Sequence, residues 1–250
     1  MQNRYVGDIG DFGKYGMLRA LLQGTGIRLG VNWYLVPDET HTNDGKYIEY
    51  LSPSEANHNK YRKCDITLYD NLRSLVVNHS RSVTAVQEAG ILPTDTIFYS
   101  LNIPMLAQSE SNFLSGRRNW FKDSLSIFNG CNLLFLDPNN GLEVASAPIG
   151  SAKSCKYVMY DEIMQYYMAG YSLIVYNHRD RSSEAVYQQR FKHIRECIGN
   201  DSTLPVIRFR RYSVRDYVFV IHDEVADIMN GQLQRFAHSR WEPHWQLYEV

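Results

Sequence analysis

Apolar residues along this chain fall into two patterns whose alternation predicts an α/β fold. Short runs at Ile27 to Val36, Thr96 to Leu101, Leu133 to Leu136 and Tyr171 to Tyr176 read as strands bounded by turn residues. Helical spacing of Leu18, Leu21 and Leu22 predicts a helix over Met17 to Leu22, closed by Gly24 and Gly26. Further helices are predicted over 55–75, 80–90, 117–128, 156–169 and 183–198. Two last strands, 204–211 and 214–222, are separated by Tyr212 and Ser213 and should form an antiparallel hairpin. The sum is a mostly parallel Rossmann-like sheet ending in an antiparallel hairpin strand, with helices on both faces. No repeat or linker divides the chain, so a single domain over 1–250 is expected, with a helical middle insertion at about 47–95.

Residues 132–143, Asn-Leu-Leu-Phe-Leu-Asp-Pro-Asn-Asn-Gly-Leu-Glu, place chemistry on that frame. Leu133 to Leu136 read as a strand buried on both faces, which puts Asp137 at its carboxyl end with Asn139 and Asn140 just beyond. In open α/β sheets ligands lie in the crevice outside those ends, so these three are candidate catalytic residues. A plain Asp-Pro-Asn-Asn-Gly turn is the competing reading, because each of these residue types favours turns for local reasons. His178 follows the Tyr171 to Tyr176 strand and joins them as a candidate base or base-contacting donor.

Composition narrows the setting. A formal net charge of −1 with 21% charged residues excludes a globally basic coat and leaves room for a local basic groove. Cys64, Cys131, Cys155 and Cys197 have neither disulfide-framework nor zinc-finger spacing and read as reduced thiols. With no apolar signal core at the start and no apolar run near the ~18 residues that span a bilayer, a soluble cytoplasmic protein without membrane contact is expected. The aromatic tail from Phe236 through Trp241 and Trp245 should dock on the domain or on a neighbouring subunit, which makes a homo-oligomer an expectation.

Glycines recur every third residue at Gly7, Gly10, Gly13 and Gly16, around Asp8, Asp11 and Lys14. They suit either a phosphate-cradling loop or tight backbone passage under the crevice. Two patterns point elsewhere. Asp8, Asp11, Asp38, Glu39, Asp44, Asp137 and Glu143, with His41 and His178, form an oxygen-rich set suited to Mg²⁺ or Mn²⁺ in a metal-dependent nuclease or phosphodiesterase. Arg117-Arg118-Asn119-Trp120 and Arg208-Phe209-Arg210-Arg211-Tyr212 would instead contact phosphates and stack bases in a catalytically silent nucleic-acid-binding module.

The element order, with Gly10-Asp11-Phe12-Gly13-Lys14-Tyr15 ahead of the first strand and Leu136-Asp137-Pro138-Asn139-Asn140 after a later one, resembles class I S-adenosylmethionine-dependent methyltransferases. In layout it is similar to the ribosomal-RNA large-subunit adenine-N6 methyltransferases. That resemblance implies methyl transfer to an amino group of a nucleic-acid base, with S-adenosylmethionine as donor. Gly10, Asp11, Lys14, Asp38 and Glu39 would then bind the donor, Lys14 meeting its carboxylate and Asp38 or Glu39 its amino or ribose hydroxyl groups. Asp137 would polarise the acceptor amino group while Asn139 and Asn140 orient it. The family's Asp-Pro-Pro-aromatic motif departs here, since Asn139 and Asn140 replace the second proline and the ring. Stacking would have to come from Tyr176 or Trp120.

Overall fold

A computed structural model describes residues 1–39, 44–105, 110–199 and 203–250. The chain is α/β, built on a seven-stranded mixed sheet flanked by helices. The strands of this sheet are β1 (Leu29–Asn32), β2 (Ile97–Tyr99), β3 (Leu133–Leu136), β6 (Ser172–His178), β7 (Pro205–Phe209), β8 (Arg215–Val220) and β9 (Trp245–Glu249), in the order β2-β1-β3-β6-β8-β7-β9. Parallel pairing joins β2, β1, β3 and β6, while β8 enters antiparallel between β6 and β7, and β9 lies antiparallel on β7. A two-stranded ladder of β4 (Gly141–Leu142) and β5 (Tyr157–Val158) stands apart.

The helices are α1 (Ile9–Leu22), the single turn α2 (Glu55–Asn57), α3 (Ile66–Val77), α4 (Val83–Glu88), α5 (Glu110–Ile127), α6 (Tyr160–Met168), α7 (Glu184–Ile198) and α8 (Asp223–Ala237). Strand alternation divides the core into two layers. Leu133, Phe135, Ile174, Tyr176, Ile207, Phe209, Tyr217 and Phe219 pack with α1, α3 and α8, whereas Leu134, Leu136, Leu173, Val175, Val206 and Val218 pack with α5, α6 and α7. No described helix is long and apolar enough to cross a membrane.

Several boundaries move. Helix α1 starts at Ile9 instead of Met17 because Asp8 caps it, accepting from the backbone of Gly10 at 2.7 Å and Asp11 at 3.0 Å. Its glycines, each worth about 1 kcal/mol of lost helix propensity, make room for neighbours. A Cβ on Gly10 would stand 2.6 Å from the Arg215 guanidinium, one on Gly13 2.6 Å from the Phe209 ring and one on Gly16 2.1 Å from Trp241. The every-third-residue spacing is therefore a packing stripe for the sheet and the tail. The tail itself turns inward: Trp241 and Trp245 are buried beside Phe12, Phe209, Phe236 and Tyr217. Of the two expectations for this tail, docking on the domain or on a neighbouring subunit, the structure shows the first. Helix α8 and strand β9 are additional to the elements that periodicity predicted.

Candidate functional site

The carboxyl ends of β3 and β6 and the amino end of β8 meet at one edge of the sheet, since His178 lies opposite Arg215 in the ladder. Helix α1 and the segment 44–47 close over that edge and leave a cavity of about 210 Å³. It is lined by Asp137, Pro138, Asn139 and Asn140 after β3, by Tyr176 and His178 of β6, and by Ser213, Arg215 and Tyr217 before and within β8. Gly10, Asp11 and Lys14 of α1 line it with Met1, Tyr5, Asp8, Asp44, Gly45 and Tyr47.

Local sequence explains how the turn after β3 is fixed beside the cavity. Gly141 has φ +110°, and a Cβ on it would lie 2.1 Å from the Asn177 Oδ1. That Oδ1 in turn accepts from the Leu142 backbone at 2.8 Å, while the Asn177 Nδ2 donates to the Tyr187 hydroxyl at 2.9 Å. The Asn140 backbone is pinned at both ends, its N–H donating to Lys156 O and its carbonyl accepting from the His178 N–H. Against this fixed turn the Asn139 side chain stands out: its Oδ1 and Nδ2 are both buried and neither has a hydrogen-bond partner. The buried hydroxyl of Tyr217, another lining residue, is also unpaired.

Charge in the cleft is organised by Lys14. Its Nζ lies 2.8 Å from Asp11 Oδ1 and 2.7 Å from Asp137 Oδ2, all three side chains being buried. Burial alone would lower the lysine's pKa, but the two carboxylates outweigh it and hold it above the ordinary value. Burial pushes Asp11 up to about 6, with Lys14 opposing. Arg215 donates to Ser213 O at 2.9 Å and stands 3.5 Å from Asp8, whose charge overrides burial and keeps the guanidinium pKa raised. His178 is drawn below its ordinary pKa by burial and then by Arg215, and its Nδ1 is 3.3 Å from the Tyr176 hydroxyl.

The carboxyl end of β1 is filled. The α-amino group of Met1 donates to Trp33 O at 2.9 Å, Tyr34 O at 3.0 Å and Asp137 O at 3.0 Å. Burial lowers its pKa to about 5. Trp33 and Tyr34 are fully buried behind it.

Of the residues expected from sequence, Asp137, Asn139, Asn140, His178, Gly10, Asp11 and Lys14 come together in this cleft, and Asp38 and Glu39 do not. Asp38 accepts from the Arg4 backbone at 3.1 Å, and Glu39 pairs with Lys156 and Arg4. Lys14 is saturated by Asp11 and Asp137 and presents no free cation to a donor carboxylate. Tyr176 lines the cleft, but Trp120 is buried on the other face with its indole N–H on Leu101 O, out of reach for stacking. Arg117 is likewise buried and binds Glu162 through two nitrogens instead of contacting phosphate. Glu143 follows β4 outside the cleft, and His41 lies outside the described residues. Among the described residues no group of three or more His, Cys, Asp or Glu side chains is placed to hold a metal ion. Sequence reasoning missed Met1, Tyr47, Arg215 and Tyr217 as cleft residues. Arg215 and Tyr217 at alternate positions of β8, with Asp216 between them ahead of an apolar run, were the available signal.

No family model and no curated protein matches this chain. Among solved structures it is similar to protein LPL1258 from Legionella pneumophila str. Philadelphia 1, given under the family model DUF519. The two share 12% identity over 98% of this chain and 97% of that one, with a TM-score of 0.48.

Proposed function

We propose that this chain is a methyltransferase-like protein whose cleft receives the amino-bearing edge of a nucleic-acid base. The unpaired Asn139 carboxamide carries this reading. A buried amide without partners costs about 1–3 kcal/mol, which a bound ligand recovers by pairing with it. One donor beside one acceptor complements the amino group and adjacent ring nitrogen of adenine or cytosine. Carboxylates of Asp8, Asp11 and Asp137 around the cleft favour a ligand that brings N–H donors over one that brings carbonyl oxygens. The size agrees: about 210 Å³ lies below the range of sites that enclose a drug-sized molecule, ~300–1,000 Å³, and suits a single ring system. Such a base has to come from a single strand or be extruded from a duplex. Free thiols at Cys64, Cys131, Cys155 and Cys197 accord with a cytoplasmic location.

S-adenosylmethionine, the donor implied by the resemblance, does not fit these residues as they are folded. Lys14 is already paired twice, Asp38 and Glu39 face away, and Met1 with Trp33 and Tyr34 fills the carboxyl end of β1. A transferase reading rests instead on one feature, the reversed strand β8 set inside an otherwise parallel run, which is the layout the resemblance implies.

Isothermal titration separates these readings. Adenosine and cytidine monophosphates should bind the wild type more tightly than uridine monophosphate, and Asn139→Ala should weaken them about tenfold, the value of one to two hydrogen bonds. Equal binding of all three nucleotides, unchanged in Asn139→Ala, would remove the amino-edge reading. Heat from S-adenosylmethionine with chelator present would restore the transferase.

A further inference from the structure

The hairpin tip after β7 extends the cleft outward. Tyr212 is exposed, has φ +56°, and stacks on Tyr47 with ring centroids 4.5 Å apart, so an aromatic step leads from the cleft lining to the surface. A tyrosine in the left-handed region carries backbone strain, of order 1–3 kcal/mol, and such outliers cluster at functional sites.

Beyond that step lies a group of cations drawn from three separate parts of the chain. Arg211 Nε is 2.7 Å from His244 Nδ1, and His244 Nε2 is 3.0 Å from Lys60 O. Arg240 Nη1 donates to Lys63 O at 3.3 Å, and the Cys64 thiol contacts Arg240 O at 3.2 Å. Lys60, Lys63 and Arg240 are exposed. Among the described residues none of these four cations makes an ion pair with a carboxylate, although Arg19, Arg62, Arg117, Arg179, Arg190 and Arg208 all do. Their concentrated charge registers on the groups they surround. His244 is held down to about 4, by burial first and then by Arg211, Lys60 and Lys63. Of the acids around the patch, Asp65 is paired with Arg19, and Glu49 and Glu242 are exposed and form no ion pair with these cations among the described residues.

We infer that Lys60, Lys63, Arg211 and Arg240 form the track for the phosphate backbone of a single-stranded nucleic acid, with the Tyr47–Tyr212 pair stacking the nucleotide next to the one held in the cleft. This rests on the base-binding reading above and adds the path of the strand. An aromatic platform flanked by unpaired cations is the arrangement that binds single strands with little sequence preference. A net charge of −1 is no obstacle, because a local group of cations attracts phosphate whatever the balance of the whole chain.

Fluorescence anisotropy of labelled single-stranded 12-nucleotide RNA and DNA, read over a series of salt concentrations, tests the inference. Wild type is compared with Lys60→Ala/Lys63→Ala/Arg240→Ala, whose side chains are exposed, and with Asn139→Ala. Each phosphate contact adds about 0.7 to the slope of log affinity against log salt for single strands, so the triple variant should lose about 2 from that slope and bind about tenfold more weakly at moderate salt. Tyr212→Ala should weaken binding without changing the slope. A triple-variant slope equal to wild type, with Asn139→Ala still weakened, overturns the track and leaves the base-binding cleft standing. Loss of slope with Asn139→Ala silent supports the track and removes the cleft reading. Absence of any binding by the wild type overturns both. Preference between the RNA and DNA arms identifies the source of the strand.

Discussion

Two buried charge clusters on opposite faces of the sheet show what separates a structural ion pair from a site. On one face Arg117 is enclosed by acceptors: both Glu162 oxygens, at 2.7 and 3.0 Å, Ser154 O at 2.8 Å and Tyr157 O at 2.8 Å. Glu162 is completed by the Tyr34 hydroxyl and the Met159 N–H, each at 3.1 Å. On the other face the Lys14 cluster borders open volume, and two of the residues lining it, Asn139 and Tyr217, carry buried polar atoms without a partner. Burial and short distances are common to both. What distinguishes the second is incompleteness, since a fold gains nothing from unpaired buried polar atoms unless something binds them.

The comparison breaks first at Arg117. Arg117→Met leaves Glu162 buried without its cation and should cost about 3–5 kcal/mol in urea unfolding, while the surviving native protein binds oligonucleotide as before. Altered affinity in that folded fraction would mean that the two faces are coupled. Lys14→Met should cost somewhat less, about 2–4 kcal/mol at neutral pH, because the cavity admits water to the stranded carboxylates. This deficit should shrink as pH falls, since Asp11, held at about 6 even beside its lysine, takes up a proton more readily once the lysine is gone. Parallel unfolding curves for wild type and variant from pH 7 to 5 would count against it.

Asn139→Ala sharpens the contrast at smaller scale. Removal of two unpaired buried atoms should leave stability within about 1 kcal/mol of wild type or raise it, though nucleotide binding falls. A large loss of stability would assign Asn139 to the fold. A separate, pH-dependent effect concerns His244, held near 4 against an ordinary 6.5. Its folded pKa is depressed, so between pH 6.5 and 4 the unfolded chain takes up a proton that the native chain refuses, and stability falls as pH falls through that window. His244→Gln should flatten this part of the pH–stability curve, measured by thermal unfolding.

Legibility in the sequence followed local information. The β3 run and its turn are legible because buried parallel strands are continuously apolar and end in turn residues, and Asp137, Asn139 and Asn140 after it are among the residues that line the cleft. His178 followed by the same logic from β6. The first turns of helix α1 are hidden in the sequence because its glycines lower propensity, and only the Arg215, Phe209 and Trp241 side chains reveal what they accommodate. Asp38 and Glu39 were misplaced because a strand end fixes position but not direction, and the segment after β1 turns toward Arg4 and Lys156. Arg215 and Tyr217 entered the site through the insertion of β8 beside β6, a pairing across more than thirty residues of chain that no local pattern encodes.

That insertion also sets an order of events during synthesis. Strand β6, buried along nearly its whole length, emerges about forty residues before β8, its outer partner in the finished sheet. Until then the nascent sheet has an apolar open edge, the kind of surface on which growing chains associate wrongly. Strand β7 leaves the ribosome before β8 yet can join the sheet only through it. The β6 edge is therefore where a chaperone would be needed most, and the cleft is completed by Arg215 and Tyr217 only after its other lining residues have been made.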